Sequence, residues 1–188
     1  MKNVTILVIL CLLAGSLETV VAEDFTLEDL DQRRNSINAA GMLALGSWSA
    51  ANIGLNSVLY FTTDEDIRYF YQMNALWNVV NLGIAGLGYF GSVRAAPSGD
   101  LFGAVDAQYG IEKALLFNAG LDTAYMMSGL LLMQYAENTN RNPEMFRGYG
   151  QSLPLHGGFL FVFDLLVCAI QGGSRNLIEP LLNEKVRQ

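Results

Sequence analysis

Charged residues are scarce in this chain of 188 residues. Lysine and arginine number 11 and aspartate and glutamate 18, so charged residues make up 15% of the chain, against about 25% in ordinary soluble domains. The apolar fraction of 52% excludes a disordered chain, which combines little apolar content with much charge. The net charge of −7 comes without a basic block, which argues against nucleic-acid binding.

Cysteine and histidine are rarer still. Two cysteines and one histidine exclude a disulfide framework, a zinc ribbon and any site that needs two imidazoles. A length of 188 residues suits one domain. The composition therefore favours a single folded domain without a cysteine- or histidine-based metal site.

The N-terminal segment predicts a cleaved secretory signal. Lys2 precedes an apolar run over residues 4–15, and Val20 and Ala22 place small residues at the −3 and −1 positions of a cleavage site. The alternative, a buried or anchoring first helix, is less favoured because the run is short for a membrane span. Removal of residues 1–22 would leave Cys168 as the only cysteine, which excludes dithiol chemistry.

The charges that are present are distributed unevenly. Residues 35–63 and 69–93 contain none, and residues 114–136 and 148–174 contain a single aspartate each. Each stretch reaches the length of about 20 residues that an α-helix needs to cross a bilayer. A soluble four-helix bundle would instead carry charges every few residues along each helix. The pattern predicts an all-α, integral membrane four-helix bundle preceded by a signal peptide.

This reading divides the chain into four parts. They are the signal peptide over residues 1–22, an extramembrane helix start over 23–36, a four-transmembrane-helix domain over 37–174 and a polar tail over 175–188. The predicted spans cover residues 37–61, 69–92, 111–136 and 153–173.

Boundary residues support the ends of these helices. Thr26 with acidic residues in the following turn predicts an N-cap for the first helix. Ser152 and Pro154 suit the N-cap and first turn of the last span, and Gly172 with Gly173 suits its end. A cleaved signal would place both ends of the mature chain outside the cytoplasm, whereas the arginine distribution favours the reverse under the positive-inside rule.

The polar residues inside the predicted spans recur at helical spacing. Asn74, Asn78 and Asn81 form one stripe, about 60° wide, at 100° per residue. Because hydrocarbon cannot satisfy amides and carboxylates, such stripes are predicted to face one another. The candidate ligand-binding residues on the four spans are Asn52, Asn56, Asn74, Asn78, Asn81, Asn118, Asp122, Tyr125, His156 and Asp164.

A purely structural role for these side chains is the alternative. Asparagines hydrogen-bond between membrane helices, and small residues permit close approach; the candidates for such approach are Gly41, Gly83, Gly86 and Gly129. An aspartate at mid-span costs about 2.5–3.5 kcal/mol, whereas an interhelical hydrogen bond returns about 0.6 kcal/mol. Asp122 and Asp164 therefore need several donors, a cation or protonation, which favours a polar intramembrane site.

Motifs for catalysis are weak. The run Gly86-Leu-Gly88-Tyr-Phe-Gly91 matches a dinucleotide-binding pattern, but no strand precedes it. A lone His156 is more typical of a hydrogen-bonded structural residue, and its Ser152 and Asp164 neighbours lack a nucleophile motif. The sequence thus leaves enzymatic activity uncertain and favours its absence, and it indicates no metal and no catalytic residues.

Four segments resemble a known family. They are Asn38-Ala-Ala-Gly41-Met, Met73-Asn74-Ala-Leu-Trp77-Asn78-Val-Val-Asn81-Leu-Gly-Ile-Ala, Phe117-Asn118-Ala-Gly-Leu-Asp122-Thr-Ala-Tyr125 and Gly148-Tyr-Gly-Gln151-Ser. The chain is similar over about residues 35–170 to DUF6992, an uncharacterised family of small bacterial membrane proteins found mainly in Bacteroidota. The resemblance implies a bacterial four-helix membrane protein and no particular activity.

Together these observations predict a multi-pass protein of the bacterial inner membrane with a periplasmic N-terminus after signal cleavage. Its Asn- and Asp-lined core is expected to bind or move a small polar ligand, an ion or a lipid headgroup. A structural or assembly subunit is the alternative, and an intramembrane lipid-modifying enzyme is less favoured. The expected partners are the lipid bilayer and a small polar ligand or lipid, not nucleic acid. The sequence identifies no cofactor and no protein partner.

Overall fold

The computed structural model describes residues 25–63 and 65–187, and the regular structure in these ranges is entirely helical. The helices are α1 (Leu27–Thr62), α2 (Glu65–Val93), α3 (Leu101–Glu137), α4 (Pro143–Gly172) and α5 (Arg175–Arg187). The predicted signal peptide lies outside the described residues. The predicted all-α class with four long helices is confirmed for the described part of the chain.

The start of α1 is a reciprocal cap. The Thr26 hydroxyl accepts a hydrogen bond from the Asp29 backbone N–H at 3.2 Å, and the Asp29 carboxylate accepts one from the Thr26 N–H at 2.9 Å. Two backbone donors at the helix terminus are satisfied in this way. The N-cap that the sequence predicted at Thr26 is confirmed.

The start of α4 differs from the sequence prediction. The helix begins at Pro143, whose ring suits the first helical position because that residue needs no N–H. Asn142, with a φ of 50°, precedes it and accepts hydrogen bonds through its carbonyl. Ser152 and Pro154 consequently lie inside the helix, not at its start. The end of α4 at Gly172 agrees with the predicted stop.

The predicted polar tail forms helix α5. Its apolar residues recur at helical spacing, and Ile178 is buried against Leu30 and Ala104. Leu181 packs against the same cluster. A segment that is polar in composition thus becomes a helix because one face finds an apolar partner surface.

Packing divides the described chain into two compact units. Unit 1 comprises residues 25–44, Ala85–Leu115 and residues 166–187, and unit 2 comprises Leu45–Ile84 and Leu116–Leu165. Each of the four long helices contributes one segment to each unit.

In unit 2, α3 and α4 approach closely at glycines. A Cβ added at Gly157 would lie 2.7 Å from the Asp122 carbonyl oxygen, and Gly129 packs directly on Pro154. The close approach predicted at Gly129 is therefore present. At Gly83 and Gly86, in contrast, an added Cβ would meet no described atom within 4 Å. These two glycines do not mediate helix packing in the described part of the chain.

Two helical stretches among the described residues are long and apolar enough to cross a membrane. They are Leu101–Glu137 and Pro143–Leu182, as judged from length and composition. The first two predicted spans lie in α1 and α2, which do not reach the same hydropathy because they are rich in Asn, Ser and Gly.

Candidate functional site: the polar interior of unit 2

The interior of unit 2 is built largely from polar side chains. Each of the four long helices contributes buried polar side chains to it. On α2, Asn74, Asn78 and Asn81 are spaced by four and three residues, so they share one helix face, and that face is buried. The buried polar residues of this interior are Ser49, Asn56, Asn74, Asn78, Asn81, Asp122, Ser152, His156 and Asp164.

Asn74 joins three helices through one amide group. Its Nδ2 donates to Asn56 Oδ1 on α1 at 3.1 Å. Its Oδ1 accepts from the Ser152 hydroxyl on α4 at 2.6 Å and lies 2.8 Å from His156 Nε2 on the same helix. We call these four side chains the bonded layer.

Backbone carbonyls fix the direction of these bonds. Asn56 Nδ2 donates to the Asn52 carbonyl at 2.8 Å, so the Asn56 oxygen faces α2 and Asn74 must present its NH₂ group there. The Asn74 oxygen then faces α4, where it can only accept, so His156 donates from Nε2–H. Neutral His156 therefore carries its lone pair on Nδ1.

A second set of buried polar atoms has no hydrogen-bond partner among the described residues. The side-chain atoms that line the interior in this state are Ser49 Oγ, Asn78 Oδ1, Asn81 Nδ2, Asp122 Oδ2 and His156 Nδ1. The indole nitrogens of Trp48 and Trp77 share this condition. Most buried polar groups in proteins are satisfied, so such a concentration points to a bound molecule, ion or water.

Ring and backbone contacts place these atoms near one level of unit 2. The Trp77 ring packs edge-on against Tyr125 with centroids 4.8 Å apart, and Tyr125 is one turn from Asp122. Trp48 stacks on Phe159 at 4.2 Å, two residues beyond the Gly157 that contacts Asp122. At 1.5 Å per residue, these contacts put Ser49 and Asn78 at the same height along the helices of unit 2 as Asp122, to within about one turn.

We call this level the open layer, made up of Ser49, Asn78, Asn81 and Asp122. Each side chain is at most 4% exposed. It adjoins the bonded layer along the same four helices, since Asn78 is one turn from Asn74 and Gly157 follows His156. The polar interior thus has one layer in which the side chains bond to one another between helices, with His156 Nδ1 the exception, and one layer in which they do not.

The carboxyl groups add charge to the open layer. Asp122, at 3% exposed, and Asp164, at 7%, are the two buried carboxyl groups of unit 2 within the described residues. Neither forms an ion pair within the described ranges. No group of three His, Cys, Asp or Glu residues in the described part of the chain could hold a metal ion.

Three candidate residues occupy different positions from the rest. Asn118 is exposed, contrary to the prediction that it shares the buried stripe with Asp122. The buried face of α3 runs through Ala119 and Asp122, and Asn118 lies at its edge, where no described neighbour covers it. Tyr125 is half-buried against Trp77, and Asn52, also half-buried, donates to the Trp48 carbonyl at 2.9 Å.

Ser152 belongs to the polar interior, although it is not one of the binding residues predicted from the sequence. Its position beside a proline suggested a helix start, whereas it is fully buried in mid-helix. The spacing of four residues to His156 was the available signal, since it puts both side chains on one face.

A separate polar network in unit 1 was also missed. Glu112, at 2% exposed, pairs with the Arg175 guanidinium and accepts from Gln108 Nε2 at 3.1 Å. Gln108 also donates to the Gln171 carbonyl at 2.8 Å. Glu112 lies just inside the third predicted span and Gln108 just before it. Both precede residues 114–136, the nearly uncharged stretch that supplied the candidate residues of α3.

The comparisons with known proteins give a family and nothing further. Residues 44–165, about two thirds of the chain, match the model of a family of unknown function, DUF6992. The match begins one residue before unit 2, ends with it at Leu165 and also covers residues 85–115 of unit 1, so the whole polar interior lies inside it. No curated protein and no solved structure matches the chain. The protein belongs to DUF6992, a family of unknown function.

Proposed function

We propose that the protein is a multi-pass membrane protein whose polar interior in unit 2 binds a small polar ligand. The observation that carries this proposal is the inverted burial of unit 2. Asn78 and Ser49 are 0% exposed, whereas Phe61 is 83% and Leu131 63% exposed. Soluble proteins bury large apolar residues and expose amides.

The exposed apolar side chains of unit 2 are numerous and come from all four helices. They include Leu55, Val58, Phe61, Leu76, Val79, Val80, Leu82, Leu116, Phe117, Leu121, Leu130, Leu131, Leu155 and Val162. Soluble monomers rarely expose so much contiguous apolar surface. Hydrocarbon is the solvent that suits such a surface, and it also explains why the amides turn inward.

The open layer supports ligand binding over a purely structural role. The bonded layer is what a helix-fixing network would look like, because Asn74 and its partners satisfy one another across three helices. The open layer leaves buried acceptors and donors without described partners at the same depth. A network selected only for packing would leave few of these groups unsatisfied.

The substitution Asp122→Leu separates the two roles. If the open layer is a binding site, removal of a buried carboxylate leaves the free energy of unfolding of the ligand-free protein equal or higher, and a molecule bound to the purified protein is lost. If the layer is structural, the substitution strands donors and lowers that free energy by about 1–3 kcal/mol. Native mass spectrometry and thermal unfolding of detergent-purified protein measure both quantities.

The matched control is Asn118→Leu, on the same helix one turn away but exposed. It is expected to change neither the bound molecule nor the unfolding midpoint. Recovery of the wild-type protein in the soluble fraction without detergent would contradict the membrane part of the proposal.

A further inference from the structure

We infer that the open layer binds a small monovalent cation, held by the Asp122 carboxylate together with Asn78 Oδ1 and the Ser49 hydroxyl. This inference rests on the proposed function, because it names the class of ligand for the same interior. It also gives Asp164 a distinct role, that of a second negative charge nearby.

Charge is the first argument. Asp122 is 3% and Asp164 7% exposed, and neither has an ion-pair partner among the described side chains. An isolated carboxylate away from water is strongly unfavourable unless a positive charge compensates it. The two carboxyl groups therefore make this interior attractive to a cation.

The donor set is the second argument. Asn78 Oδ1, Ser49 Oγ and Asp122 Oδ2 are oxygens from three helices, all buried and all without a described hydrogen-bond partner. Oxygen atoms of carboxylates, amides and hydroxyls are the ligands that hard cations prefer. Asn78 Oδ1 can only accept, and its amide NH₂ is already engaged with the Asn74 carbonyl at 2.8 Å.

The charge count favours a monovalent ion. Asp164 follows Gly157, the contact of Asp122, by seven residues, which is about 10 Å along α4. One carboxylate and neutral oxygens then form the inner set, and a single positive charge neutralises that carboxylate. Asp164 lies about two turns further along α4, and the inference assigns it a supporting role through its charge.

A proton is the competing occupant of this layer. A protonated Asp122 could donate to Asn78 Oδ1 and satisfy both atoms without any ion. The test must therefore separate a response to cations from a response to pH.

The experiment measures the thermal unfolding midpoint of the detergent-purified full chain. The reference buffer contains N-methylglucamine chloride, whose organic cation is much larger than a metal ion. This salt is replaced by sodium, potassium or ammonium chloride at constant ionic strength. We expect the midpoint to rise with at least one small cation and to saturate, because an ion that binds only the folded state stabilises it.

Variants assign the effect to this layer. Asp122→Asn is expected to abolish the cation response, and Asp164→Asn to weaken the apparent affinity several-fold without abolishing it. Ser49→Ala, which removes one neutral oxygen, is expected to lower the affinity and serves if Asp122→Asn does not fold. Asp106→Asn, an exposed carboxylate on the same helix as Asp122, should respond like wild type.

Equal midpoints in all four salts would overturn the inference. A midpoint that rises only as the pH is lowered, and only when Asp122 is present, would overturn it in favour of a shared proton. If cations have no effect but Asp122→Leu still releases a neutral molecule from the purified protein, the cation inference fails and the proposed function stands. If no bound molecule and no cation response is found, both fail.

Discussion

Among the described side chains of unit 2, the Asn74 amide is the one that hydrogen-bonds to two other helices at once. Asn74→Leu keeps the side-chain size but leaves Asn56, Ser152 and His156 without their common partner. With three bonds at about 0.6 kcal/mol each, we expect the free energy of unfolding to fall by about 2 kcal/mol. Chemical denaturation in detergent measures it.

The exposed Asn118 again supplies the comparison, because Asn118→Leu removes an amide that bonds to no other described residue. This variant should be as stable as wild type. If Asn74→Leu unfolds at the same denaturant concentration as Asn118→Leu, the bonded layer does not hold the helices together.

Asp31, outside the predicted spans, gives a pH-dependent contribution to stability. Burial by itself raises the pKa of this carboxyl, but two hydrogen bonds from Ser98 and the Arg34 guanidinium at 2.7 Å outweigh burial and lower the pKa below its ordinary value. A lowered pKa in the folded state stabilises the fold at pH values above about 4, the unfolded value. That stability is lost as the pH falls through the folded-state pKa.

Asp31→Asn should therefore lower the unfolding midpoint at neutral pH, and the difference from wild type should shrink as the pH falls below about 4. Thermal unfolding across this pH range measures the difference. A constant difference at all pH values would show that the effect of the substitution does not come from the charge of Asp31.

At the scale of elements, the contact between α3 and α4 depends on the absence of a side chain at Gly157. A Cβ there would lie 2.7 Å from the Asp122 carbonyl oxygen, so the helices must move apart in Gly157→Ala. We expect a loss of about 1–3 kcal/mol from overpacking. The measurement is the free energy of unfolding of the purified variant.

Gly83→Ala is the matched substitution on an open helix face, where a Cβ meets no described atom within 4 Å. Alanine is the better helix former by about 0.5–1 kcal/mol, so this variant should be slightly more stable than wild type. If Gly157→Ala and Gly83→Ala change the free energy of unfolding in the same direction, the packing described for α3 and α4 is contradicted.

Local sequence signals predicted the elements where local chemistry determines them. Thr26 caps α1 and Gly172 ends α4 because those signals act on neighbouring backbone groups. Ser152 and the chain after residue 175 were misread because their state depends on distant partners: Asn74 for Ser152, and Leu30 with Ala104 for α5. Helical spacing alone cannot supply such tertiary contacts.

The same distinction applies to the candidate site. Spacings of three and four residues correctly predicted the burial of Asn74, Asn78 and Asn81, because a repeat of this kind defines one helix face. Spacing wrongly placed Asn118 among the buried residues. The face of α3 that neighbouring helices cover is narrower than the polar stripe in the sequence, and Asn118 lies outside that face. Nor could spacing show that Asn78 Oδ1 and its neighbours Asn81 Nδ2 and Asp122 Oδ2 have no hydrogen-bond partner among the described residues.

At the scale of the whole molecule, polarity is inverted where the family match lies. Unit 2 buries Asn56, the three asparagines of α2 and the two aspartates Asp122 and Asp164, and it presents many Leu, Val and Phe side chains outside, over residues that fall within 44–165. The proposed hydrocarbon environment of these helices would account for this inversion, for the low charge content and for the uncharged stretches together.

Spin labels on the outer face of unit 2 test this claim most directly. Single cysteines at Val80 and Leu131, which are 60% and 63% exposed, are labelled in a chain without its native cysteines and reconstituted in lipid vesicles. The account predicts frequent collisions with oxygen, which dissolves in the bilayer, and few with a water-soluble nickel chelate. A label at Asp100, in the exposed connector, should show the reverse. Equal access of the nickel chelate to Val80, Leu131 and Asp100 would contradict the account.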